Sequence, residues 1–247
     1  MRNQPTEGWT IVFDEASLAV QAALDAGAQY ADARVVFSKA ETINVQNQNL
    51  SQLDRSEHAG VGVRALIGSS WGFAATGDLD AASIRAAGER AAAISRASGL
   101  VSGPPMEFAD VEVNDTFWET PYDEDPFGVP LSEKVDTLIE VTRTMQGVEG
   151  VAIATGTMTF WDTNKWFVSS QGHRIHQHLV ESGGGYDATA IGEAETQRRS
   201  YPQSFGQYVT GGYETVRAWD YEGNAQRRAE EAVGLRRADV VEEREPS

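Results

Sequence analysis

One stretch, GVGVRALIGSSWGFAATG at residues 60–77, limits what this chain can fold into more than any other. Val61, Val63, Ala65 and Ile67 share one parity, and Gly60, Gly62, Arg64 and Leu66 share the other, which is the period-two pattern of a strand. Gly68, Ser69 and Ser70 make a turn, after which Trp71, Phe73 and Ala75 resume the alternation. The pattern predicts a hairpin. Gly60 and Gly62 clear one face for another backbone or a helix, while Trp71 and Phe73 supply apolar area from which a core can grow. These four residues are read as structural rather than as substrate contacts.

The segments around this hairpin alternate between helix and strand signals. Asp14 or Ser17 can cap a first helix through Leu18, Ala22 and Ala26, with Gly27 as its stop. Strand periodicity follows from Tyr30 to Val45, turn residues Asn47, Gln48 and Asn49 end it, and residues 50–57 lead into the hairpin. Asp78 or Asp80 can cap a second helix with Ile84, Ala87, Ala91 and Ile94 on one face, closed by Gly99. Residues 100–130, rich in Pro, Asp and Glu, read as an extended connector with anchoring aromatics and as a subdomain seam. Ser132 can cap a third helix ending at Gly147. Strand-like runs cover residues 151–161, 165–170 and 173–191. Residues 192–212 read as loop, Asn224 can cap a last helix to about Arg237, and VVEEREPS reads as a frayed tail.

The expected fold is α+β, a mixed or antiparallel sheet with helices packed on it. Residues 1–99 and 131–247 each read as helix, three strands, helix. A faint echo between SEHAGVGVRA and VESGGGYDAT suggests an internal duplication.

With 247 residues and 40% hydrophobic content, the chain can fill one large core or two small ones. A net charge of −17 opposes a phosphate backbone, so direct nucleic-acid binding is excluded from the expected functions. The acidity itself reads as solvated surface. There is no cysteine, hence no disulfide or thiolate ligand, and a reducing cytoplasm is the simple expectation. The opening MRNQPTEGW has no apolar signal core, and no run approaches the roughly 18 apolar residues of a membrane span.

Candidate chemistry is sparse. On a regular strand His176 and His178 share a face while His173 points away, so at most two imidazoles of this group converge on a metal. Glu181 has the wrong parity to complete a site, and His58 has no evident partner. Gly60, Gly62 and Ala65 outline a dinucleotide fingerprint, but the strand runs through them where the fingerprint needs a helix to begin. The Gly183, Gly184, Gly185 run lacks the Lys-Ser/Thr of a P-loop and reads as a bulge or a close-packed strand. Neither G-x-S-x-G nor HExxH nor HExxxH occurs.

The run GVGVRALIGSSWGFAAT, the DLDAASIRAAGERAAAISRAS behind it, and DEDPFGVPLSEK at residues 123–134 resemble the N-terminal domain of the TldD/PmbA family, its TldD branch more than its PmbA branch. The resemblance extends over about residues 26–241. It implies an N-terminal α+β domain followed, in TldD-type members, by a C-terminal domain with an HExxxH zinc motif. Such members are similar to metalloproteases that work with a PmbA-type partner on extended or unfolded peptides, and their older label is modulator of DNA gyrase. No position in this sequence matches the family's metal ligands. The expectation is therefore an N-terminal domain or truncated form of a TldD-type zinc metalloprotease, without the zinc-bearing domain, without a cofactor of its own and inactive alone. Its partners would be a PmbA-type subunit or a second copy, and an extended peptide guided along a sheet edge. A stand-alone regulatory or binding module of the same family is the alternative, and a small metal hydrolase built on His173, His176 and His178 is a third reading.

Overall fold

The computed structural model describes residues 6–99, 103, 104, 106, 108–193, 195–204 and 206–236. The elements in chain order are α1 (Thr6–Asp25), β1 (Tyr30–Gln46), β2 (Asn49–Ile67), β3 (Ser70–Thr76), α2 (Ala81–Ser98), β4 (Asp115–Glu119), α3 (Leu131–Gln146), β5 (Val151–Ser169), β6 (Arg174–Ile191), β7 (Thr196–Tyr201), β8 (Gln207–Thr210), α4 (Tyr213–Ala218) and α5 (Tyr221–Arg236). The eight strands form one mixed sheet in the order β3-β2-β1-β5-β6-β4, and β7 and β8 also pair with β6. β2 with β3, β6 with β7 and β6 with β8 run antiparallel, whereas β4 with β6 runs parallel. The fold is α+β, as the sequence predicts. Among the described residues no helix is long and apolar enough to cross a membrane.

The chain divides into two compact units that exchange segments. The first takes the described residues of Met1–Lys39, Glu57–Glu119 and Asp162–Leu179; the second takes those of Ala40–Ser56, Thr120–Trp161 and Val180–Ser247. β1, β2, β5 and β6 each give one end to one unit and the other end to its counterpart.

Small side chains build the first unit's core. Ala19 and Ala23 of α1, Ala33 and Val63 of the sheet, and Ala87 and Ala91 of α2 are all buried. Such residues let helix and sheet backbones approach closely, and two glycines take that to its limit. A Cβ on Gly72 would stand 2.0 Å from the Ala91 carbonyl oxygen of α2, and one on Gly88 would stand 2.4 Å from the Ala19 carbonyl oxygen of α1. The Asp80 carboxylate caps α2 by accepting from the Ala82 and Ser83 amides, each at 3.0 Å. Ile94, expected on the buried face of α2, is exposed at its rim.

The second unit's core is larger-grained, with Ile43, Leu138, Met145, Met158, Phe160 and Tyr186 among its buried members. At its centre Lys134 of α3 and Glu41 of β1 are both fully buried and paired at 2.5 Å. Lys134 also donates to the Pro126 carbonyl at 2.6 Å and lies over the Phe160 ring. The DEDPFGVPLSEK segment therefore ends on a buried charge that ties α3 to β1.

Several boundaries differ from the sequence reading. α1 begins at Thr6, so Asp14 and Ser17 lie inside it, and the Ser17 hydroxyl donates to the Phe13 carbonyl. α3 opens at Leu131 behind Pro130, without a side-chain cap, which puts Ser132 in the first turn. α5 starts at Tyr221, and Asn224 donates to the Asp220 carbonyl from within it. Residues 50–57 belong to β2, and residues 151–169 form one strand where two runs were expected. Residues 192–212, read as loop, contain β7 and β8. Their polar composition suits short strands beside β6, and the glycine run of β6 makes room for them. A Cβ on Gly183 would meet the Tyr208 ring at 1.8 Å, and one on Gly185 would meet the Gly206 Cα at 2.5 Å. The VVEEREPS tail lies outside the described residues.

Candidate functional site

The polar groups of the first unit gather where β5 and β6 pass each other. His176 and His178 share a face of β6, as their spacing predicts, and opposite them Asp162 and Asn164 share a face of β5. His178 Nε2 stands 2.9 Å from Asp162 Oδ1, and its Nδ1 stands 3.9 Å from Glu119 Oε2 of β4. A carboxylate only accepts, so the Nε2 proton faces Asp162. Asn164 also donates to Asp162 Oδ1, at 3.2 Å, and accepts from His176 Nε2 at 3.0 Å. The result is a hydrogen-bonded chain, His176 to Asn164 to Asp162, with His178 as a second donor to the same carboxylate.

The histidines have separate fates. His176 is 1% exposed, stacked on Trp166 with ring centroids 4.3 Å apart and flanked by Phe117 at 4.9 Å. Burial, with a lesser contribution from His178, pushes its pKa down to about 4, so the ring is neutral near pH 7. His173 sits elsewhere, its Nδ1 accepting from the Asn114 amide at 3.1 Å. Among the described residues no group of three or more His, Cys, Asp or Glu side chains is arranged to hold a metal ion.

Asp162 and Asn164 line a cleft of about 270 Å³ together with Phe37, Ser38, Lys39, Glu57, His58 and Ala59. His58, without a partner in the sequence reading, faces this cleft beside one lysine and two carboxylates. Mixed charge of this kind suits hydrogen bonding to a polar ligand or a peptide backbone. Sequence reasoning missed Asp162, Asn164 and Glu119 because they lie on other strands. The available signal was D-x-N on one strand against H-x-H on the next, both with strand spacing.

The hairpin residues also have definite places. A Cβ on Gly62 would meet the Phe73 ring at 3.1 Å, and one on Gly60 would meet the Thr76 carbonyl oxygen at 3.0 Å. Phe73 is 58% exposed, and Trp71 packs edge-on against Tyr30 with centroids 5.7 Å apart. The core-facing residues of β3 are Gly72 and Ala74, so the core grows from the parity opposite to Trp71 and Phe73.

Residues 31–95 match the family model for PmbA/TldA metallopeptidase domain 1. No curated protein matches the chain. Similar solved structures include a Thermotoga maritima protein described as a candidate modulator of a DNA gyrase, with a TM-score of 0.70 and 15% identity over 94% of this chain and 50% of that one. A Bacteroides thetaiotaomicron protein with a like description gives 0.69 and 14%, over 90% and 49%. TldE from Thermococcus kodakarensis gives 0.56 and 14%, over 89% and 46%. The chain spans about half the length of these structures. Residues 31–95 thus carry the sequence pattern of the first domain of the PmbA/TldA metallopeptidases, and nearly the whole described length shares the fold of these solved structures.

Proposed function

We propose that this chain serves as the non-catalytic N-terminal part of a TldD-type zinc metallopeptidase, holding an extended peptide for a catalytic centre supplied by polypeptide outside these 247 residues. The observation that carries the reading is the match of residues 31–95 to the first domain of a metallopeptidase family. Two of the three histidines in the HRIHQH segment are already engaged: His176 is enclosed by aromatic rings with Nε2 bonded to Asn164, and His173 Nδ1 accepts from a backbone amide. β3 ends the strand order, so the backbone groups on the outer edge of Ser70–Thr76 suit the addition of one more strand. Such main-chain pairing tolerates many sequences, which is what an enzyme for unfolded peptides requires. A PmbA-type subunit is the proposed partner, in the cytoplasm.

Purified chain, incubated with zinc and with unfolded peptides, is expected to show no chelator-sensitive hydrolysis, while bound peptide slows amide hydrogen exchange at residues 70–76. Zinc-dependent cleavage by the chain alone, or unchanged exchange at saturating peptide, would sink this reading.

A further inference from the structure

The sheet face bearing Phe73 carries a pair of arginines that the activity above does not use. Asp32 on β1 is fully buried and accepts from two guanidinium groups. Arg64 on β2 grips it through Nε, at 3.1 and 3.0 Å to its two oxygens, and through Nη2 at 2.6 Å. Arg34 adds Nη1 at 2.7 Å. One bidentate arginine already neutralises one carboxylate, so the trio keeps a surplus positive charge within a chain of net charge −17. The two arginine side chains remain 41% and 45% exposed, and among the described residues no other carboxylate pairs with either.

Both heads are also held in place. Arg34 lies over the Phe167 ring at 4.7 Å and Arg64 over the Trp71 ring at 5.1 Å. With Asp32 fixing one edge of each, N–H groups remain for a second anion: Nε and Nη2 of Arg34, and Nη1 of Arg64. A guanidinium immobilised in advance loses little entropy on binding. Beside the pair lies a trough of about 370 Å³, whose apolar part is formed by Val36, Gly60, Gly62, Phe73 and Ala75. Gly62 is what lets the Phe73 ring lie over the strand as a wall.

We infer that Arg34 and Arg64, mounted on buried Asp32, form a subsite for the C-terminal carboxylate of an extended peptide, with the last residue's apolar side chain against Phe73. A carboxylate on the carbon next to an apolar side chain places both groups within this short span. The inference rests on the peptide reading above and names the end of the peptide that this domain would recognise.

The test compares one pentapeptide ending in leucine as free acid and as amide, N-terminally labelled, by fluorescence anisotropy on the purified chain. The acid is expected to bind at least about tenfold more tightly than the amide, since the interaction is a charge-assisted pair. In Arg34→Gln the preference should fall to near unity; this variant keeps the Arg64–Asp32 pair and hence the folded strand. Phe73→Ala, at an exposed position, should weaken the acid several-fold and leave its preference over the amide in place. Equal binding of acid and amide, binding of neither, or an intact preference in Arg34→Gln overturns the inference. So does octanoate binding where the free-acid peptide does not. If acid and amide bind alike while both slow exchange at residues 70–76, the edge-binding function stands and the carboxylate subsite alone falls.

Discussion

At the scale of single residues, contact distance decides what a position tolerates. Gly72→Ala must force α2 away from β3, because the new Cβ would meet the Ala91 carbonyl oxygen at 2.0 Å and the Ser95 nitrogen at 2.4 Å. The expected loss is about 1–3 kcal/mol, read by urea denaturation. Gly234→Ala in α5 meets nothing within 4 Å and should instead gain about 1 kcal/mol through helix propensity. His176 supplies a pH signature. Its folded pKa of about 4 lies below the unfolded value of 6.5, so the unfolded chain takes up more protons between these values. The stability tied to the neutral ring is complete above about pH 6.5 and is lost as pH falls toward 4. His176→Phe should therefore flatten the pH dependence of Tm across this window relative to the parent chain; parallel profiles would contradict the neutral, buried assignment.

At the scale of elements, the Lys134–Glu41 pair joins α3 to β1. Lys134→Met leaves Glu41 buried with Arg55 as its one remaining cation among the described residues and is expected to cost about 3–5 kcal/mol. Lys134→Met combined with Glu41→Gln should recover most of this loss, because the second change removes the stranded charge. Denaturation of both variants measures the difference. α2 was largely legible beforehand: its Asp80 cap, its Gly99 terminator and the Ile84–Ala87–Ala91 stripe follow from local rules. β7 and β8 were not. Their residues are polar and glycine-flanked because they form short strands beside β6, and the space they occupy is cleared by Gly183 and Gly185 in another segment. Asp162 and Asn164 escaped notice for the same reason, since their partners lie on β6.

At the scale of the whole molecule, 37 acidic against 20 basic side chains leave net self-repulsion. Raising sodium chloride from about 10 to 300 mM should raise Tm, because screening relieves repulsion that favours the expanded chain. A flat or falling Tm would mean that the paired charges, such as Arg217 with Glu124 and Glu133, outweigh the surplus. The sequence by itself determined the α+β class, the hairpin at residues 60–77, the glycine stops of α1, α2 and α3 and the family likeness, because each depends on periodicities and caps within a few residues. Tertiary structure alone decided which charges became partners. Glu41 meets Lys134 across 93 positions and Asp32 meets Arg64 across 32, and their burial arises only when distant strands and helices exclude water together.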